Sequence, residues 1–125
     1  MANYAIQSDI EDIFGPTNVA IHRVAVAVEL GDAREAIRRA PEVDLDQMPA
    51  HLTERRARFL IDVARGHAQV QDDDAALDAL TEAETIAPDE LCHHRLTREV
   101  IRDLLTRERR SSGLRALADR CHALA

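Results

Sequence analysis

A helix–corner–helix pattern occurs twice in this sequence, and its spacing limits the folds that the chain can adopt. The segment GDAREAIRRA begins at Gly31 and aligns with QDDDAALDAL, which begins at Gln71, forty residues later. Gly accepts the left-handed backbone that ends a helix, and an Asp that follows it can cap the next helix. Gly31 and Asp32 therefore predict a sharp corner between two helices, and the acidic run 72–74 predicts the matching corner in the second copy.

The hydrophobic residues indicate helices rather than strands. They make up 46% of the chain, but aromatic residues only 2%, so the core must consist of Ala, Leu, Val and Ile. Such side chains suit closely packed helices, and Ala, Leu, Arg and Glu are strong helix formers. With 4 Gly and 4 Pro in 125 residues, the chain has little turn material for a sheet. We predict a single all-α domain.

Apolar residues at helical spacing predict six helices after a weakly patterned start. Residues 1–15 are interpreted as an N-terminal leader or a partial helix, and residues 16–125 as the helical domain. The predicted helices cover about 17–30, 33–39, 50–71, 75–87, 91–109 and 114–124. Pro41 and Pro88 end the second and the fourth of them, since Pro cannot continue a helix.

The second copy of the pattern resembles the tetratricopeptide repeat, a helix–turn–helix unit of about 34 residues. The positions that match it are Ala64, Ala76, Leu77, Ala83 and Pro88. The resemblance implies a tetratricopeptide-like α-solenoid of about three antiparallel helix pairs. Its units would lie at about 17–41, 50–88 and 90–125. The first unit departs from the repeat through an extra loop, and the third is degenerate and looks like a cap.

A further resemblance covers about residues 14–117. The strings FGPTNVAIH, RRARFLIDVARGHAQ and EAETIAPDE are similar to the C-terminal region of actinobacterial helix-turn-helix transcriptional regulators of the xenobiotic-response-element (XRE) type. In those proteins a DNA-binding domain precedes a tetratricopeptide array, and nothing in this chain resembles that domain. The resemblance implies a sensor, dimerisation or partner-binding part of a transcriptional regulator.

Stacked helix pairs form a concave groove that is lined by the first helix of each pair. Mapping the repeat onto the chain predicts a groove for a protein or peptide partner. Its candidate residues are Asn18, Ile21, Arg58, Ile61, Arg65 and Gln69, with Ala25, Val28 and Ala68 beside them. Asn18 and Arg65 suit a peptide backbone or a carboxylate. The alternative for the two arginines is ion pairing along their own helix, for instance between Arg58 and either Glu54 or Asp62.

The first helix carries an unusually wide apolar stripe, which predicts contacts on two of its sides. An end of a helical array that lacks a neighbour exposes apolar surface. We therefore expect a homodimer, with Val19, Ala20 and Val26 as candidate contact residues.

The ligand-like side chains of the sequence are few, and they lie near its end. They are Cys92, His93, His94, Cys121 and His122. Adjacent histidines on a helix point to different faces and cannot chelate one ion together, so we expect no metal ligand here. Cys121 is interpreted as a core residue, and both thiols are expected to be reduced. The acidic run 72–74 lacks the spacing of a calcium loop and is predicted to cap a helix.

Charge and hydropathy exclude several classes of partner. The formal net charge of −7 argues against nucleic-acid binding by this segment, because phosphate contacts need a basic face. The basic run RERR at 107–110 is interpreted as a solvated helix end. No apolar run approaches the roughly 20 residues that span a membrane, and the start lacks the pattern of a signal peptide. We expect a cytoplasmic protein that does not bind membranes.

These observations favour a non-catalytic module that binds a protein or peptide or associates with itself, without a cofactor. No phosphate-binding Gly loop and no nucleophile motif occurs in the sequence. A small-ligand-sensing helical domain is the alternative, and a metal-dependent hydrolase ranks last.

Overall fold

The computed structural model describes residues 16–108 and 112–122, and these residues form helices, turns and loops without a strand. In chain order the α-helices are α1 Pro16–Glu29, α2 Ala33–Arg39, α3 Thr53–Gln69, α4 Asp73–Ile86, α5 Pro88–His93, α6 Arg95–Thr106 and α7 Ser112–Arg120. Two 3-10 turns, Ala40–Glu42 and Leu45–Gln47, lie between α2 and α3. The all-α prediction is confirmed. The leader or partial helix predicted for 1–15 lies outside the described residues.

The corner between α1 and α2 has the geometry that its sequence predicts. The Gly31 N–H donates to the Val28 carbonyl at 3.0 Å, and the Asp32 N–H donates to the Ala27 carbonyl at 2.8 Å. Gly31 has a left-handed φ of 77°. The Asp32 carboxylate then accepts a hydrogen bond from the Glu35 N–H at 3.3 Å. These paired bonds form a Schellman motif, in which free carbonyls at a helix end gain donors, and Asp32 caps the next helix.

The corner between α3 and α4 repeats this geometry forty residues later. The Gln71 N–H donates to Ala68 at 3.0 Å, and the Asp72 N–H donates to His67 at 2.9 Å. Gln71 has a φ of 61°, and the Asp72 carboxylate accepts from the Ala75 N–H at 3.3 Å. The predicted equivalence of the two corners is confirmed at the level of individual hydrogen bonds.

The prediction of one continuous helix over about 91–109 is wrong. The chain forms two helices there, because His94 is extended, with φ −76° and ψ 128°. Its Nδ1 atom accepts a hydrogen bond from the Leu96 N–H at 3.1 Å and so caps the start of α6. Neither Gly nor Pro marks this break in the sequence. A histidine supplies the acceptor that Ser, Thr, Asp or Asn usually provides at a helix start.

Helix α3 lies at the centre of the described fold. Helices α1, α2, α5 and α6 all contact it, and α4 makes its most extensive contact. Small residues line the crossing of α3 and α4, where they let the backbones approach closely. The buried alanines of these two helices are Ala57, Ala64, Ala68, Ala76, Ala79 and Ala83.

A disulfide connects α5 to the end of α7. It links Cys92 in α5 with Cys121, which follows α7, at a Cα–Cα distance of 4.5 Å. The expectation that both thiols are reduced is therefore wrong for this structure, although Cys121 is a core residue as predicted, with no exposed surface. The two cysteines are 29 positions apart, and only the packing of α7 beside α4 and α6 brings their positions together.

The length and composition of the helices show whether any of them could cross a membrane. The longest, α3, has 17 residues and carries several charged side chains. Within the residues that the structure describes, no helix has both the length and the apolar composition needed to cross a bilayer.

Candidate functional site

A groove of about 560 Å³ lies between α1 and α3. The apolar part of its lining comes from Val19, Ile21 and Ala25 of α1. The apolar stripe of α1 is wide. These side chains face the groove, and others in the same stripe face the core. Ala20 and Val24 from that stripe are buried in the protein.

The other lining residues of the groove are polar, and three of them are arginines. They are Asn18, His22, Arg23, Arg55, Arg58 and Asp62. Three arginines against one aspartate give the groove an excess of positive charge, in a chain whose net charge is −7. Arg55 donates to the Asn18 side-chain oxygen at 3.4 Å, which links the two helices. An anionic group is therefore the ligand that this lining favours.

Asp62 is the buried acid of the groove, with only 2% of its surface exposed. Arg58, one turn before it, approaches its carboxylate at 3.5 Å, and Arg65, one turn after it, donates to it at 3.2 Å. Burial raises the pKa of the Asp62 carboxyl, while the two arginines act in the opposite direction. Asp62 thus holds both arginines in place on the surface of α3.

Arg65 also connects α3 to the end of α1. Its guanidinium donates to the Glu29 carboxylate at 2.8 Å, and this hydrogen bond, together with the charge of Arg65, lowers the pKa of Glu29. The alternative interpretation of Arg58 and Arg65, ion pairing along their own helix, is confirmed for both through Asp62. Arg58 still lines the groove with 45% of its side chain exposed, whereas Arg65 is 16% exposed and is occupied by two acids.

His94 lies against Arg58, with its Nε2 atom 3.2 Å from the Arg58 Nη1 atom. A neutral imidazole has one acceptor nitrogen, and Nδ1 already accepts the N–H of Leu96. The Nε2 atom therefore carries the proton, and the contact with Arg58 is a close approach without a hydrogen bond. Burial and then the charge of Arg58 lower the pKa of His94, which keeps the capping histidine neutral.

The predicted groove residues divide between the groove, the core and the open surface. Asn18, Ile21 and Arg58 line the groove, as does Ala25. Ile61 is fully buried in the core, so its assignment to the groove is wrong, and the same holds for the neighbouring candidates Val28 and Ala68. Gln69 is exposed at the end of α3, and it is not among the lining residues.

Five lining residues were not predicted from the sequence to face the groove: Val19, His22, Arg23, Arg55 and Asp62. A signal for Asp62 was present, because an acid between Ile61 and Val63 in an apolar stretch must be paired when it is buried. The positions of the other four follow only from the angle at which α1 crosses α3.

The residues predicted for self-association are not on one surface. Ala20 is buried within the protein, so its assignment to a dimer contact is wrong, and Val19 faces the groove. Val26 is 41% exposed, and it lies one turn before Leu30, which is 78% exposed. Both line a shallower depression of about 390 Å³ between α1 and α2.

The cysteines and the adjacent histidines near the end of the chain do not gather into one cluster. His93 bonds to the Asp89 carbonyl with Nδ1 at 2.7 Å, and His94 caps α6. Instead, Glu84 of α4 joins the two cysteines, and the ligand atoms of these three residues lie within 4.8 Å of one another. The spacing of Glu84 from either cysteine carries no signal in the sequence.

The acidic run 72–74 serves the corner rather than a metal ion. Asp72 caps α4, and Asp73 forms an ion pair with Arg107 at 2.9 Å. Arg107 also bonds to Asp103 and to the Ala68 carbonyl. The interpretation of the run as a helix cap is confirmed, whereas Arg107 is an ion-pair partner rather than part of a solvated helix end.

Comparisons with protein-family models, with curated proteins and with solved structures find no match to this chain.

Proposed function

We propose that this chain is a non-catalytic module that binds an acidic segment of a peptide or protein in the groove between α1 and α3. The observation that carries the proposal is that one groove combines three apolar side chains with three arginines. A segment that carries both an apolar side chain and a carboxylate matches this lining. Arg is the side chain that binds carboxylates in a bidentate manner.

The arginines differ in their availability to such a ligand. Arg23 and Arg55 form no ion pair with any other described residue, while Arg58 shares Asp62 with Arg65. A carboxylate from a partner would therefore first meet Arg23 and Arg55. Arg58 would add its exposed donors without leaving Asp62 unpaired, since Arg65 remains beside it.

The arrangement of the helices supports a tetratricopeptide-like solenoid as part of the proposal. Helix α3 contacts α1, which precedes it in the chain, and α6, which follows it. The first helices of successive repeat pairs would make contacts of this kind. The two equivalent corners supply the second helices of the first two pairs. With the resemblance to XRE-type regulators, this suggests a cytoplasmic sensor or partner-binding part of a transcriptional regulator, without nucleic-acid binding through this segment.

The test uses the full chain as bait in a selection from a random peptide library. Fluorescence polarisation then measures the affinity of a selected peptide. We expect acidic peptides, and Ala25→Trp should weaken their binding at least tenfold, because the indole fills the groove without removing a polar contact. Ala116→Trp is the matched control, since Ala116 is exposed on α7. Selected peptides that bind Ala25→Trp as well as the natural chain would contradict the groove assignment.

A small anionic ligand is the second candidate, and the groove volume favours it. Small-molecule sites usually enclose about 300–1,000 Å³, and this groove lies within that range. A thermal-shift screen with short aliphatic carboxylic acids distinguishes the two. Stabilisation by such an acid that Ala25→Trp abolishes and Ala116→Trp retains would favour the small ligand over the peptide.

A further inference from the structure

Three potential metal ligands meet where α4, α5 and the end of α7 converge. Cys92 is half-buried, Cys121 is fully buried, and Glu84 has 19% of its side chain exposed. Their sulfur and carboxylate atoms lie within 4.8 Å of one another. This site is formed by helices other than α1 and α3, which form the groove, so it does not depend on the proposed function.

The three residues are close enough for their ligand atoms to surround one zinc ion once the S–S bond is broken. Zinc binds Cys sulfur at about 2.3 Å and carboxylate oxygen at about 2.0–2.2 Å in a tetrahedron, so ligand atoms around it lie roughly 3.5–3.8 Å apart. Small side-chain rotations cover the difference from the observed spacing. Two thiolates and one carboxylate would leave the fourth position to water.

We propose that the Cys92–Cys121 pair is a redox-gated zinc site, which exists as a disulfide under oxidising conditions and binds Zn²⁺ together with Glu84 when reduced. Reduction breaks the S–S bond with two electrons and two protons from a dithiol, which itself becomes a disulfide. Zn²⁺ then replaces both thiol protons, which pass to the solvent. The ion would hold the end of α7 to α5 in place of the covalent bond.

The charges around the site balance only when Arg120 is included. Zn²⁺ with two thiolates and one carboxylate carries a net charge of −1, and the guanidinium of Arg120 neutralises it. The Arg120 Nε and Nη2 atoms donate to the two Glu84 oxygens at 2.8 Å each. Each oxygen keeps a second lone pair for a metal, and outer hydrogen-bond donors of this kind orient ligating carboxylates. Arg120 is thus a positioning residue for Glu84.

The cytoplasmic placement that we propose for the chain would favour the reduced, zinc-bound form. Disulfides are rare in reducing compartments, where a close pair of cysteines more often binds metal or cycles between redox states. Cys92 is partly exposed, which gives a reductant access to one of the two sulfurs.

The experiment compares the oxidised and the reduced full chain. A phosphine serves as reductant, because a dithiol would itself chelate zinc; it becomes the phosphine oxide while water supplies the oxygen and the two protons. After its removal without air, Zn²⁺ is titrated against a chromophoric chelator. Co²⁺ titration reports thiolate ligation through its sulfur-to-metal charge-transfer absorption. We expect one ion per reduced chain and none per oxidised chain.

Substitutions test each proposed ligand, and a nearby exposed residue serves as the control. Cys92→Ser should abolish the Co²⁺ charge-transfer signal of a two-thiolate site, and Glu84→Gln should weaken zinc binding at least tenfold. Glu82→Gln is the matched control, because Glu82 is exposed on the same helix. Arg120→Gln should weaken binding about 10–100-fold. Neither Glu84→Gln nor Arg120→Gln removes a core side chain. Both variants therefore test the proposal even if a cysteine variant fails to fold.

Three outcomes would overturn the proposal. A reduced chain that binds no zinc shows that the pair is a structural disulfide. Zinc bound equally by the oxidised chain, or by Cys92→Ser, shows an adventitious ion only. If Glu84→Gln binds as tightly as Glu82→Gln, then the carboxylate is not a ligand.

Discussion

At the scale of the residue, Gly31 and Gln71 hold the same left-handed backbone at equivalent corners, with φ values of 77° and 61°. Gly adopts this conformation without steric cost, whereas any residue with a Cβ atom is disfavoured in it by roughly 1–2 kcal/mol. No packed neighbour lies within 4 Å of the position that a Cβ atom of Gly31 would take. The backbone conformation alone therefore favours Gly at this position.

We expect Gln71→Gly to raise the free energy of unfolding by about 1 kcal/mol, and Gly31→Gln to lower it by a similar amount. Urea denaturation measures both. Gln69→Gly is the control, because Gln69 is helical, and Gly there should lower the free energy of unfolding by about 1 kcal/mol. Loss of stability in both Gln→Gly variants would contradict the role assigned to the left-handed corner.

His94 supplies the second prediction at this scale. Its pKa in the folded protein is below the ordinary value of 6.5, so the folded state binds its proton less tightly than the unfolded state. The stability that neutral His94 contributes is complete above pH 6.5 and is lost as the pH falls through the folded pKa. Protonation removes the acceptor for the Leu96 N–H and places a second positive charge beside Arg58.

His94→Asn should retain the cap and remove this pH dependence, because Asn accepts the same hydrogen bond without titrating. His94→Ala should lose about 1 kcal/mol at pH 7.5, where the natural cap is intact. Urea denaturation at pH 7.5 and pH 5.5 measures both effects. An equal loss of stability between these pH values in His94→Asn and in the natural chain would assign the pH dependence to other groups.

At the scale of the element, α3 approaches α2 closely at Gly66. A Cβ atom at Gly66 would lie 3.6 Å from the Ala36 Cβ atom and 3.7 Å from Ile37, which is ordinary van der Waals contact. Gly in the interior of a helix lowers its stability by about 0.8–1.0 kcal/mol relative to Ala. This glycine therefore leaves room for one methyl group and no more.

Gly66→Ala should raise the free energy of unfolding by about 0.5–1 kcal/mol through helix propensity. Gly66→Leu should lower it by about 1–3 kcal/mol, since three further carbons would overlap α2. Thermal unfolding followed by circular dichroism measures the two variants. If both variants shift the melting temperature in the same direction, then α2 does not pack against α3 as described.

At the scale of the whole molecule, the acidic chain presents an arginine-lined groove and, on α1, an exposed pair of apolar side chains. The pair is Val26 and Leu30, one turn apart on α1. Neither side chain is covered by the rest of the described chain. The expected homodimer would therefore use this pair rather than Ala20.

We expect sedimentation at micromolar concentration to detect a dimer that Val26→Glu dissociates, because a carboxylate buried in an apolar interface is unfavourable. Ala116→Glu is the control, since it places the same charge on the exposed face of α7 and should leave the dimer intact. A natural chain that sediments only as a monomer would refute self-association.

Local features of this protein could be predicted from the sequence alone. Gly31, Asp32 and Asp72 determine the two corners, because backbone conformation and capping depend on residues that are close in the chain. Helix periodicity predicted the wide apolar stripe of α1 and an ion pair between Arg58 and an acid one turn away. Residues a turn apart meet whatever the rest of the fold does, so these predictions needed no tertiary information.

Only the tertiary structure decided which faces meet. The angle at which α1 crosses α3 buries Ile61, brings Arg55 to Asn18 and so determines the groove. The packing of α7 on α4 and α6 brings Cys121 to Cys92 and Glu84, residues whose separations in the chain follow no helical period. Long-range contacts of this kind depend on the free energy of packing the whole core, which no local pattern contains.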